Sequence, residues 1–179
     1  MNKVAIVYWS GTGNTEAMAD LIAQGARAAG GEADLIQAAD FDSSKLDDYD
    51  AFAFGCPAMG DEELEEMEFL PMYDEVEPHL PGRKVALFGS YDWTDGEWME
   101  LWEKRAEEAG VDVVDSIIAK DYPDDDASAD CMRLGTLIAK SGAVPRGRGP
   151  DREGKGLAAA RRARIYSPTS SRSSKAPFS

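Results

Sequence analysis

With 179 residues, 34 Asp and Glu against 19 Lys and Arg, and a formal charge of −15, the chain accommodates one α/β domain of about 100–150 residues and an appendage. Such acidity argues against nucleic acid or an anionic membrane as the target of the body. Two cysteines, Cys56 and Cys131, are too few for a disulfide framework and fit a reduced setting with both thiols buried. No apolar run reaches the roughly 18 residues of a membrane span, and the start runs too soon into glycines for a signal peptide. A cytoplasmic monomer is the expectation.

Apolar runs at 4–8, 51–54 and 85–88 each end in a loop of Gly, Ser, Thr or Pro and predict buried strands, with weaker strands at 33–36 and 111–118. After the first, Ala17, Met18, Leu21, Ile22 and Ala26 share one helical face, and Gly30-Gly31 supplies the stop. Helical spacing returns over 65–76, 97–109 and 127–139. This alternation predicts a parallel sheet covered by helices on both faces. Its ligand would lie beyond the carboxyl ends of the strands, near the point where strand order reverses. The loops after the first, third and fourth strands are therefore the candidate site.

The first of these, Ser10-Gly11-Thr12-Gly13-Asn14-Thr15, joins a strand to a helix. Its amides and hydroxyls can converge on an anion at the positive end of the helix dipole, and its glycines allow a close backbone approach. It lacks the Gly-Lys-Ser/Thr ending of a triphosphate loop and the third glycine of the dinucleotide fingerprint, so a terminal monophosphate suits it best. With no Lys or Arg in the loop, binding relies on neutral donors and the dipole.

The run Val7-Tyr8-Trp9-Ser10-Gly11-Thr12-Gly13-Asn14-Thr15-Glu16-Ala17-Met18-Ala19 resembles the phosphate-binding signature of the flavodoxin family. Gly55-Cys56-Pro57-Ala58-Met59-Gly60-Asp61-Glu62-Glu63-Leu64-Glu65 resembles its second flavin loop, and Leu87-Phe88-Gly89-Ser90-Tyr91-Asp92-Trp93-Thr94-Asp95-Gly96-Glu97-Trp98-Met99 its third. The resemblance covers residues 1–140 and is to the short-chain members. It implies a flavodoxin-like, doubly wound five-stranded parallel sheet of order 2-1-3-4-5 in an α/β/α sandwich. It also implies non-covalently bound flavin mononucleotide (FMN) and electron shuttling between redox proteins, with no catalytic residue and no metal.

By that resemblance Ser10, Gly11, Thr12, Gly13, Asn14 and Thr15 hold the phosphate. Ala58, Met59, Gly60, Asp61 and Glu62 form the second loop, and Gly89, Ser90, Tyr91, Trp93 and Gly96 the third. Met59 and Trp93 sandwich the isoalloxazine, a division that suits a polarizable thioether and a broad π surface. The Gly60 carbonyl accepts from the reduced flavin N5–H after a peptide flip that glycine makes sterically cheap. Glu62 accepts from N3–H. A turn over 59–62 with positive φ at Asp61 tolerates Asp and favours Gly more, so Asp61→Gly is expected to raise the first reduction potential. An anionic hydroquinone amid so acidic a body is disfavoured, which makes the expected function low-potential one-electron transfer between semiquinone and hydroquinone.

Two alternatives use the same sequence: an FMN-dependent NAD(P)H quinone or nitro reductase, and an interaction module without a cofactor. The acidic stretches 61–68 and 124–126 flank the expected flavin edge and either steer basic-patched redox partners or simply solvate that face. Residues 1–140 hold 32 of the 34 acidic groups, whereas the Ser/Arg/Pro/Gly-rich tail 141–179 holds 9 of the 19 basic ones. Such composition builds no core and reads as disordered, with 156–166 as its one candidate for a basic helix. The tail is either a basic arm that docks on the acidic face or on an anionic partner, or a functionless product of cloning, fusion or a shifted reading frame.

Overall fold

The computed structural model describes residues 2–60, 63–93, 95–141 and 164–166. Apolar, β-branched and aromatic runs form β1 (Lys3–Tyr8), β2 (Glu32–Gln37), β3 (Ala51–Gly55), β4 (Lys84–Tyr91) and β5 (Asp112–Lys120), with β1, β3 and β4 buried along nearly their whole length. Between them lie α1 (Asn14–Ala28), α2 (Phe69–Val76) and α3 (Glu97–Glu108), and α4 (Asp125–Ser141) follows β5. The five strands are parallel in the order β2-β1-β3-β4-β5, the expected doubly wound arrangement. A short sixth strand, β6 (Arg164–Tyr166), pairs parallel with Ile117–Ala119 of β5. The expectation of structureless sequence, or of a helix over 156–166, is corrected for these three residues: Arg-Ile-Tyr suits a strand, and the edge of β5 offers unpaired backbone groups. The remainder of the tail from 142 onward lies outside the described residues.

Register brings the site together. Tyr8 stands opposite Gly55 and Gly55 opposite Phe88, so β1, β3 and β4 deliver their following loops to one edge of the sheet. Alternation along each strand then divides the core in two. Phe52, Phe54, Leu87 and Ile118 face Phe69, Tyr73, Trp98 and Trp102 of α2 and α3. Ile6, Ala51, Ala53, Ala86 and Phe88 face Met18, Ile22, Ala26, Cys131 and Leu134 of α1 and α4. Fully burying one large side chain of this kind contributes about 1.5–3 kcal/mol.

Helical spacing suggested that the second helix begins at 65, but it begins at Phe69. The carboxylate of Glu65, 4% exposed, accepts from the amides of Met67 at 2.6 Å and of Glu68 and Phe69 at 2.8 Å each. One side chain thus satisfies three of the donors that a helix start leaves unpaired. The chain before it is a turn rather than a helical one. Burial opposes ionisation of this carboxyl, yet the bonds from Phe69, Glu68 and Met67 prevail and hold its pKa below the usual glutamate value. Arg105 ties α3 to α2 through Asp74 at 2.5 Å, and to Glu77 just past the end of α2 at 3.1 Å, while lying over the Tyr73 ring.

Candidate functional site

The first loop leaves β1 where the Trp9 amide donates to Gly55 O at 3.0 Å. Gly13 adopts φ +94 as the N-cap of α1 with open space where a Cβ would stand, a conformation that glycine takes without strain. The Ser10 hydroxyl oxygen accepts from the amides of Gly13 at 3.1 Å and Glu16 at 3.3 Å, which folds the loop around the start of the helix. Thr12 is exposed, Asn14 is half-buried and Thr15 is buried. Gly11 lies close to Trp9: a Cβ there would stand 3.0 Å from the ring, which would have to give by a few tenths of an ångström. That tryptophan was not singled out from sequence, where a residue between a strand and a glycine loop carries no separate signal.

The second loop follows β3. Its entry is pinned by Cys56 N–H to Phe88 O at 3.1 Å and Ala58 N–H to Ser90 O at 3.0 Å. Met59 and Glu63 exchange backbone bonds at 3.0 and 2.9 Å, closing a tight hairpin with Gly60 at φ +48 and exposed. Met59 is partly exposed. Asp61 and Glu62, expected at the tip, lie outside the described residues.

The third loop follows β4. Trp93 is 76% exposed, and its amide donates to the Asp92 carboxylate at 2.6 Å. Tyr91 is 7% exposed and its ring packs on Trp98 at 5.7 Å, so its contribution at the loop surface is mainly backbone. Two expected flavin-loop glycines have packing reasons of their own. A Cβ at Gly89 would lie 2.1 Å from the Cys56 carbonyl oxygen, and one at Gly96, which starts α3 at φ +83, would lie 2.6 Å from Ile118 Cδ1. Trp98 Nε1 donates to that same Cys56 carbonyl at 3.2 Å. Between the first and third loops, Thr15 Oγ1 and Ser90 Oγ stand 2.9 Å apart in the core.

Tyr8 and Tyr91 border this edge of the sheet. Burial first, then Glu16 and Asp20 for Tyr8 and Asp95 and Asp121 for Tyr91, raises both phenol pKa values, so both remain protonated near neutral pH. Of the acidic stretch 124–126, Asp124 accepts the Ala127 amide at 2.8 Å and so caps α4. Burial pushes both the Cys56 and Cys131 thiols up to about 12, and both cysteines are free. Among the described residues, no His/Cys/Asp/Glu group of three is placed to hold a metal, and no helix is long and apolar enough to cross a membrane.

Three strand-end loops, one glycine-rich and hydroxyl-lined at a helix start and two presenting a thioether and an open indole, define a doubly wound α/β protein built for a phosphate-bearing planar ligand. A family model described as flavodoxin matches residues 6–135. The chain is 44% identical over 141 residues to the flavodoxin of Megasphaera elsdenii, spanning 77% of this chain and 99% of that one. It is 46% identical over 134 residues to the flavodoxin of Clostridium beijerinckii, with 75% and 97% covered. The solution structure of two-electron reduced Megasphaera elsdenii flavodoxin superposes with a TM-score of 0.72 at 43% identity, covering 77% of this chain and 99% of that one. The chain therefore belongs to the flavodoxin family, of short-chain type.

It is an FMN-binding electron carrier that works with redox partners, an electron-transfer protein rather than an enzyme; the reductase and cofactor-free alternatives are not favoured. The residues fit FMN. A cation-free cradle of amides and hydroxyls with an unobstructed Gly13 matches a terminal monophosphate, and Trp93 offers a π face outside the core.

Proposed function

We propose that the FMN phosphate is held by Ser10, Gly11, Thr12, Gly13, Asn14 and Thr15, with the isoalloxazine between Met59 and Trp93, and that the chain donates single electrons at low potential. The supporting observation is that the loops after β1, β3 and β4 are stitched to one another at a single edge of the sheet, through Trp9 to Gly55, Ala58 to Ser90 and Thr15 to Ser90. FMN supplies the redox chemistry. The chain binds the phosphate through neutral donors, covers the ring faces, and through the Gly60 peptide offers a carbonyl to the ring edge. Carboxylates around the site oppose the second electron: each charge pair about 10 Å apart costs ~1.7 kcal/mol at an effective dielectric constant of about 20, before screening. The second reduction is therefore strongly reducing.

Exposed acidic side chains at Glu63, Glu66 and Glu68, beside the 84% exposed Met67, suit a partner with a basic patch and an apolar centre. A monomer in the cytoplasm completes the reading. Residues 1–140 act as the flavin-binding unit, and the basic segment after them acts as a charged arm, of which Arg164–Tyr166 pair with the β5 edge.

Stepwise anaerobic reduction of the FMN-loaded protein, followed by absorbance against a potential-calibrated dye, tests this. Two resolved one-electron steps, the second well below that of free FMN, are expected. A single two-electron bleach coupled to nicotinamide oxidation would replace the carrier with a reductase.

A further inference from the structure

The buried hydroxyl pair that joins the first and third loops allows either oxygen to donate, and its surroundings constrain the choice. Thr15 Oγ1 lies 2.9 Å from Ser90 Oγ and 3.3 Å from the Ser90 amide nitrogen, and the two residues are 1% and 4% exposed. A threonine hydroxyl has one proton and two lone pairs, whereas an amide N–H can only donate. The Ser90 amide therefore occupies one lone pair of Thr15 Oγ1. We infer that the Ser90 hydroxyl occupies the other, so that Ser90 is a positioning residue that leaves the Thr15 proton as the group's one remaining bond, held for an anion in the 10–15 loop.

Two further features support this arrangement. Thr15 sits in the first turn of α1, where the backbone amides and the dipole already favour negative charge, so a donor fixed there adds to the same field. Ser90 is itself fixed, because its carbonyl takes the Ala58 amide at 3.0 Å and its neighbour Gly89 abuts the Cys56 carbonyl. A rigid strand end thus sets the proton direction of a side chain in a different loop, an orienting role that neither loop provides alone. The inference rests on the phosphate reading of residues 10–15 and differs from a direct contact between Ser90 and the flavin.

FMN and riboflavin separate the two, since riboflavin carries the same ring without the phosphate. The cofactor-free full-length chain and its Ser90→Ala, Ser90→Thr, Thr15→Val and Ser90→Ala/Thr15→Val variants are titrated with each ligand by flavin fluorescence. Ser90→Ala is expected to weaken FMN about tenfold, the value of one hydrogen bond to a charged group, with riboflavin unchanged. Ser90→Thr is expected to restore FMN affinity, and the double variant to bind FMN no more weakly than Thr15→Val. Equal losses for both ligands would assign Ser90 to the ring, and an unchanged FMN affinity would mean that Thr15 donates to Ser90 instead; either overturns the inference while leaving the phosphate loop intact. Equal FMN and riboflavin affinities in the unsubstituted chain would remove the phosphate reading and this inference with it. Should Ser90→Ala fail to fold, Ser90→Cys, which keeps the volume with a weaker donor, is expected to show the same FMN-selective loss.

Discussion

The two faces of the sheet are filled by opposite means. On the side of α2 and α3, large rings occupy the space: Phe54, Phe69, Tyr73 and Trp102 meet edge to face or stacked at centroid distances of 5.4 to 6.0 Å. On the side of α1 and α4, alanines line the strands and the two helix backbones nearly touch. A Cβ at Gly25 would fall 1.9 Å from Met132 O, and one at Gly135 would fall 1.9 Å from Ile22 O. One face holds by volume, the other by close approach. The difference matters at the site, because α1 begins within the glycine-rich loop 10–15 while Trp98, beside the loops after β3 and β4, hydrogen-bonds the Cys56 carbonyl. The proposed phosphate end is thus set by backbone proximity and the proposed ring end by aromatic packing.

Substitutions on the two faces should therefore fail differently. Phe54→Ala, which opens a void in the aromatic face, is expected to cost about 4 kcal/mol in denaturant unfolding, whereas Phe54→Leu costs only about 1 kcal/mol. On the opposite face a single methyl is the injury: Gly135→Ala is expected to cost about 3 kcal/mol despite the better helix propensity of alanine, with FMN affinity falling as α1 shifts. A mild Gly135→Ala variant would show that the helices separate freely and would erase the contrast.

Glu65 bridges the second loop and the aromatic face. Losing its charge in Glu65→Gln is expected to cost about 2 kcal/mol at neutral pH. Its folded pKa is lowered, so its stabilisation is present above the unfolded glutamate pKa and is lost as pH falls through the folded one. The variant's unfolding free energy should accordingly show a shallower dependence on pH on the acid side, and an unchanged slope would deny the carboxylate this role. The smallest effect is expected at the thiols. With both pushed up to about 12, neither Cys56 nor Cys131 should react with a disulfide reagent in the native protein near neutral pH, and both should react once it is unfolded.

The three loops and the alternation of strands and helices were legible because each rests on a local signal, an apolar run followed by glycines and hydroxyls, whereas the strand order came only with the resemblance to the flavodoxin family. Glu65 was not, since glutamate is a good helix former and periodicity does not show where a side chain replaces the first turn. The packing reasons for Gly89 and Gly96 were hidden as well. Both lie in the ring loop, yet what excludes a side chain at each is a contact distant in sequence, Cys56 O in one case and Ile118 in the other. Tyr91 likewise reads as a loop residue until Trp98 is seen against it. The strand at 164–166 had no signal beyond three residues in a polar, basic segment, and only the open edge of β5 gives it a partner.

Titration of the cofactor-free chain with FMN, read by quenching of flavin and tryptophan fluorescence, addresses the site as a whole. Saturation at one flavin per chain is expected, with affinity reduced by Thr15→Val at the phosphate end and by Trp93→Ala at the ring end, each about tenfold. Absence of saturable binding, or binding indifferent to both substitutions, would contradict the placement of FMN across these three loops.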